Sequence, residues 1–236
     1  QPSPDTFMKV FNEAVAAGDD VLGIFISSDL SGTYQSACLA ALDVEEETRK
    51  KLYMVDSRSA SIGTALLIRE AVKLRDAGVN VSDIAAACTE MSKYIKLTAV
   101  VGSLKYLKMG GRLSGAAAFA GTMLHITPVV SIEDGKVVVI GKTRGKKAAE
   151  KLMHDKLIKD GLSLTRDFMF GHINCSESLE TFINKSLTYI SDVNGNVGVS
   201  SIGCSVGTHV GPGTYGIAYV EAAESGMNRE SIVKTP

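Results

Sequence analysis

The chain has 236 residues, 45% of them hydrophobic and 22% charged, enough for a full core and the usual balance of a globular protein. Twenty-five basic residues against 26 acidic ones leave a net charge of -1, which excludes the broad positive surface by which proteins hold nucleic acid. No apolar run approaches the roughly 18 residues of a spanning helix, which argues against stable membrane insertion.

Ser3-Pro4-Asp5 opens a helix, with a capping hydroxyl, proline at the first helical position and an acid at the positive dipole end. Phe7, Val10, Phe11 and Val15 follow at helical spacing, and Gly18 stops the helix. Val21 to Ile26 is a short apolar strand ending at Ser27-Ser28. A helix after Ser31-Gly32, a strand at Leu52 to Val55 and a helix over Ile62 to Arg75 complete an α-β-α-β-α series. That alternation is the mark of a parallel sheet with helices on both faces.

From Val81 the texture changes. A helix to about Tyr94, a strand at Leu97 to Val101 and a short helix lead to Gly110-Gly111. Strands at Pro128 to Ile132 and Lys136 to Ile140 flank Asp134-Gly135, a strong hairpin signal. Next come a helix at Lys146 to Leu157, a strand at Phe168 to Ile173 and a helix at Leu179 to Ile190. Strands at Val197 to Ile202 and Gly216 to Val220 enclose a glycine-rich turn. The expected fold class is α/β in two domains. Residues 1–92 form a parallel three-layer α/β/α domain, and residues 93–236 an α+β domain with a mixed sheet.

Cys38, Cys88, Cys175 and Cys204 form neither a CxxC pair nor a zinc set, so they read as thiols of a reducing, cytoplasmic compartment. Chemistry concentrates where strands give way to helices, because free N–H groups and the helix dipole there favour an anion. Ser27-Ser28-Asp29-Leu30-Ser31-Gly32-Thr33-Tyr34 adds uncharged hydroxyl donors at such a point, suited to a carboxylate or a single phosphate. The plainer reading is that Ser31 caps the helix and Ser27 closes the strand. Asp56-Ser57-Arg58-Ser59-Ala60-Ser61 occupies the equivalent place after the next strand, as a second wall or a capped turn. His209, in Gly207-Thr208-His209-Val210-Gly211-Pro212-Gly213, sits among glycines that permit close approach of a ligand, where an imidazole can hydrogen-bond a carboxylate. Arg112 after Gly110-Gly111, and Arg144 within Lys142 to Lys147, form either a solvated charged face or a phosphate or acidic-partner site. Neither run fits GxxxxGK[ST], which counts against a P-loop. The stretch from Gly115 to Ile126, small and apolar, reads as a core helix or a slot for an apolar tail.

Taken in order, Gln1-Pro2-Ser3-Pro4, Ile26-Ser27-Ser28 with Leu30 to Tyr34, Asp56 to Ser59, Leu104 to Leu107 with Gly110-Gly111-Arg112, Gly141 to Gly145, and His209 to Gly213 resemble the DegV family of bacterial fatty-acid-binding proteins. The resemblance covers nearly the whole chain. It implies a long-chain fatty acid in a tunnel between the domains, with no other cofactor. Ser27, Ser28 and His209 would hold the carboxylate. Arg112 and Arg144 would serve phosphoryl transfer or docking of a separate fatty acid kinase, the partner that makes the acyl phosphate. The chain itself would then be non-catalytic. The family pattern also begins before Gln1, so the parallel domain is expected to be N-terminally incomplete. Two other classes stay open: a stand-alone serine-dependent acyl hydrolase, against which the missing GxSxG elbow counts, and a small-metabolite sensor related by fold alone.

Overall fold

A computed structural model describes residues 1–113, 126–163, 165–190 and 195–222, with eight helices and eight strands among them. The stretch read as a core helix or tail slot, 115–126, lies, apart from Ile126, outside the described residues.

The N-terminal lobe follows the alternating pattern. Helix α1 (Pro4–Ala17) starts where Ser3 accepts the Thr6 N–H and ends at Gly18, whose φ of 87° places it in the left-handed region. Strands β1 (Leu22–Phe25) and β2 (Tyr53–Asp56) pair in parallel, Leu22 opposite Tyr53 and Phe25 opposite Asp56. Parallel strands need a crossover, supplied by α2 (Thr33–Thr48). Phe11 of α1 packs with Ala37, Ala40, Ala41 and Val44 of α2, and the alanines let the two helices approach closely. Helices α3 (Ile62–Asp76) and α4 (Val81–Met91) then lead to the second sheet.

That sheet has six strands in the order β5-β4-β3-β8-β6-β7. Its members are β3 (Ile95–Val100), β4 (Thr127–Glu133), β5 (Lys136–Thr143), β6 (Phe168–His172), β7 (Val197–Ser201) and β8 (Tyr215–Val220). Neighbours are antiparallel except β6 and β7, so the sheet is mixed. Helix α5 (Leu104–Met109) follows β3, α6 (Lys146–Asp160) follows β5, α7 (Ser176–Tyr189) connects the parallel pair, and α8 (Cys204–Val210) follows β7. The β4–β5 hairpin turns at Asp134 (φ 48°) and Gly135 (φ 80°), the two left-handed residues that a tight hairpin requires.

The strand period of two divides the side chains between two cores. Tyr215, Ile217 and Tyr219 of β8 join Phe168, Phe170, Met153 and Phe182 beneath α6 and α7. Ala218 and Val220 face the other way and pack with Leu66, Leu67, Ile84 and Met91 of α3 and α4. The second core also contains Val55 of β2, so α3 and α4 are apolar on the sides toward both sheets. No helix among the described residues is long and apolar enough to cross a membrane.

An ion cluster ties α3 to the larger sheet. Asp167, buried at the start of β6, accepts from Arg69 Nε at 2.8 Å, from Lys73 Nζ at 2.7 Å and from the Asn196 N–H at 3.0 Å. Arg166 and Glu70 pair alongside. Burial alone would raise the Asp167 carboxyl, but the Lys73, Arg69 and Asn196 hydrogen bonds outweigh it and hold it at about 2. A carboxyl lower in the folded than in the unfolded state stabilises above its unfolded value and loses that contribution as pH falls. We expect Asp167→Ala to cost about 2 kcal/mol, less than a fully buried pair because both cations reach solvent. In urea unfolding the deficit should be full above about pH 4 and shrink toward pH 2.

Candidate functional site

A cavity of about 380 Å3 lies between the N-terminal lobe and the face of the six-stranded sheet turned toward it. That is within the range of about 300–1,000 Å3 for small-molecule sites. Alternation builds its apolar wall. Leu97, Ala99 and Val101 project from β3 and its end, Val130 and Ile132 from β4, and Val137 from β5. The floor is low because Ala99 stands directly opposite Gly216 across the β3–β8 ladder, the two smallest residue types in one cross-strand pair. A Cβ at Gly216 would overlap the Thr98 carbonyl and crowd Ala99, so the strand contact itself requires glycine there.

Polar groups gather on the sides toward α2, α3 and α8. Ser31 and Thr33 line the cavity where α2 begins, and their hydroxyls bond each other at 2.8 Å. Gly32, not Ser31, is the N-cap, and neither it nor Ser61 at the head of α3 caps its helix through a side chain. Both helices begin at the cavity lining with the positive ends of their dipoles, although the Thr33 N–H donates to the Ser31 hydroxyl at 3.3 Å and the Gly63 N–H to the Ala60 carbonyl at 2.9 Å. Arg112 lines it as well, its guanidinium held by Nε to the Leu30 carbonyl at 3.2 Å and Nη1 to the Gly110 carbonyl at 2.6 Å. His209 lines it too, half-buried, with Nδ1 buried and without a hydrogen-bond partner.

Of the residues singled out in the sequence, the structure brings Arg112 and His209 to the cavity together. His209 does so from the short helix α8, not from a glycine-rich turn; Gly207 lies inside that helix and Gly211, at φ 79°, ends it. Glycine is a poor helix former, which made the segment read as a turn. Ser27 and Ser28 stand beside the cavity rather than on its lining. The Ser27 hydroxyl is buried, donates to the Gly135 carbonyl at 2.8 Å and accepts the Asp29 N–H at 3.3 Å. A hydroxyl has one proton, so in this arrangement Ser27 has none left for a ligand. The Ser28 N–H is taken by the Asp56 carboxylate at 3.2 Å and 3.3 Å. Arg144 is exposed in the bend between β5 and α6, away from the lining. Thr33 and Ser61, from the two strand-end stretches singled out in the sequence, do line the cavity, each at the head of a helix that follows a parallel strand.

The hairpin tip is latched to the N-terminal lobe at three points: Ser27 to Gly135, Arg58 to Asp134 at 3.0 Å, and Lys136 to Asp29 at 3.5 Å. Because β4 and β5 form a cavity wall, these contacts fix its position.

Together these features define a two-sheet α/β protein with an apolar interlobe cavity and uncharged donors plus one guanidinium at its polar side. The chain belongs to the DegV family, whose model, described as an uncharacterised protein family, matches residues 1–222. It is 35% identical over 229 residues to a DegV domain-containing protein of Clostridium acetobutylicum, covering 93% of this chain and 76% of that one. Among solved structures it is similar to a Thermus thermophilus DegV family protein described for its fatty acid binding, with 32% identity, a TM-score of 0.82, and 93% and 78% of the two chains covered. In fold it also matches the Streptococcus pneumoniae fatty acid kinase B3 protein loaded with linoleic acid, at 23% identity and a TM-score of 0.80 over 93% and 76%.

We expect Ser27→Ala to lower stability by about 1–2 kcal/mol, the cost of leaving the buried Gly135 carbonyl unpaired. Gly135→Ala should cost more, since φ is 80° and the new Cβ would lie 2.6 Å from Ser27 Oγ. Denaturant unfolding of both variants reads this order.

Proposed function

We propose that the chain binds one long-chain fatty acid in the interlobe cavity and offers its carboxylate to a separate fatty acid kinase, which forms the acyl phosphate. The observation that carries this reading is the cavity itself: an apolar wall of strand side chains running to hydroxyls, helix N-termini, an imidazole and a guanidinium. Burial at about 0.8 kcal/mol per methylene gives a chain of about 14–18 carbons on the order of 10 kcal/mol gross. Affinity thus comes from the tail, and the polar groups set where the head lies. A carboxylate against the Ser27–Thr33 loop would meet Ser31 and Thr33, the α2 dipole and the His209 ring. Ser28 and Ser27 hold that loop from behind, the latter through the hairpin latch. Fatty acid binding by the Thermus relative supports the ligand class.

The kinase step rests on the arginines. Arg112 is fixed at the cavity, and Arg144 is exposed, so the first can meet a charge developing on the head group and the second a docking protein. A stand-alone serine hydrolase fits less well. It needs a serine–base contact and a base oriented through its second nitrogen. Ser27 gives its proton to Gly135, and His209 Nδ1 meets no carboxylate. His154 and Ser186 do bond, at 2.9 Å, but in the core beneath α6 and α7, stacked on Phe182.

Denaturing mass spectrometry of material extracted from the purified protein should show a fatty acid near one per chain. Ala99→Phe, which fills the floor, should lower that ratio severalfold while the protein remains folded. A non-lipid metabolite in its place would favour the sensor reading and end this one. With a fatty acid kinase and ATP, Arg144→Ala should retain the lipid and lose phosphorylation rate. Unchanged phosphorylation would remove Arg144 from the account.

A further inference from the structure

We infer that Gly110 is a positioning residue, holding both His209 and Arg112 in place at the acid end of the cavity. This rests on the fatty acid reading only in calling that end the acid end. Gly110 caps α5 with φ -76° and ψ -7°, a conformation open to any residue, so the backbone gives no reason for glycine there. Its neighbour Gly111, at φ 68°, has one. The reason at 110 is the imidazole. A Cβ would overlap His209 Nδ1 and come within 3.0 Å of Cε1 and 3.3 Å of Cγ. The bare Cα is thus a seat for the Nδ1 edge of the ring, which is buried and makes no hydrogen bond. Since the two ring nitrogens point away from each other, seating Nδ1 on Gly110 turns Nε2 in another direction, and His209 lines the cavity.

The carbonyl of the same residue accepts Arg112 Nη1 at 2.6 Å. One glycine therefore references both groups, through its Cα and its oxygen. Two further glycines extend the contact between these segments: Gly211 lies flat against the Tyr106 ring, and Gly102 against the Pro212 carbonyl. Helices α5 and α8 consequently dock as a unit in which a methyl group at position 110 displaces the ring.

The test is binding of oleate to delipidated wild type, Gly110→Ala, His209→Ala and the double variant, together with ring-selective 1H–15N NMR of His209. We expect Gly110→Ala to weaken oleate binding about tenfold, the scale of one hydrogen bond to a charged group. In the His209→Ala background it should have no further effect, because the ring it displaces is gone. Equal losses in both backgrounds would overturn the proposal. The His209 ring signals should move in Gly110→Ala and stay in Met109→Ala, a change on the exposed side of the same helix end. If they stay in both, the positioning role is wrong whatever the binding data show. If they move while wild type takes up no oleate, the role stands and the fatty acid reading fails. Should Gly110→Ala not fold, the double variant is expected to, since the overlap is with the ring; a double variant that also fails to fold counts against the proposal.

Discussion

The constraint on which the structure depends is the two-residue alternation of β3, β4, β5 and β8. It gives the six-stranded sheet two apolar faces, and among the described residues only one is fully packed by side chains. Beneath α6 and α7, aromatic rings fill the space. On the other face the pairing of Ala99 with Gly216, with Ala60 also at the lining, leaves room that no described residue occupies. An unfilled apolar volume is a cost in an ordinary core. Here it leaves an apolar cavity of about 380 Å3 between the lobes.

Such a slot between two lobes keeps its shape only if the lobes are held, and the contacts that hold them surround it. The Asp167 cluster fixes α3 on the far strands, while the hairpin latch fixes β4 and β5 against the strand-end loops. Both use polar groups at the edge and add to the apolar packing of α3 and α4 on the sheet. The Ser27 hydroxyl bonds the wall of the site through the Gly135 carbonyl.

Much of this was legible in the sequence because it was local. The Ser3-Pro4 start and Gly18 stop of α1, the Asp134-Gly135 turn and the strand runs all express short-range chemistry, and the structure has each within a few residues. The order β5-β4-β3-β8-β6-β7 was not, since it depends on non-local pairings, above all that of β3 with β8, more than a hundred residues apart. The site divided in the same way. Arg112 and His209 were flagged by composition, but nothing local tells that Ser27 finds Gly135, 108 positions away, while Ser31 and Thr33 face the cavity. His209 shows the opposite error: three nearby glycines suggested a turn, and tertiary packing made a short helix of it.

A second groove, beside β1 and lined by Leu22, Ile24, Ile68, Val72 and Ile84 together with Asp20, Arg75 and Asn80, is the alternative place for an acyl chain. The most direct measurement is therefore isotope-filtered nuclear Overhauser spectroscopy of the protein with bound 13C-labelled palmitate. The account predicts contacts from the acyl methylenes to the methyl groups of Leu97, Val130 and Val137. Acyl contacts to Leu22, Ile68 and Val72 instead, with none to those three, would contradict it.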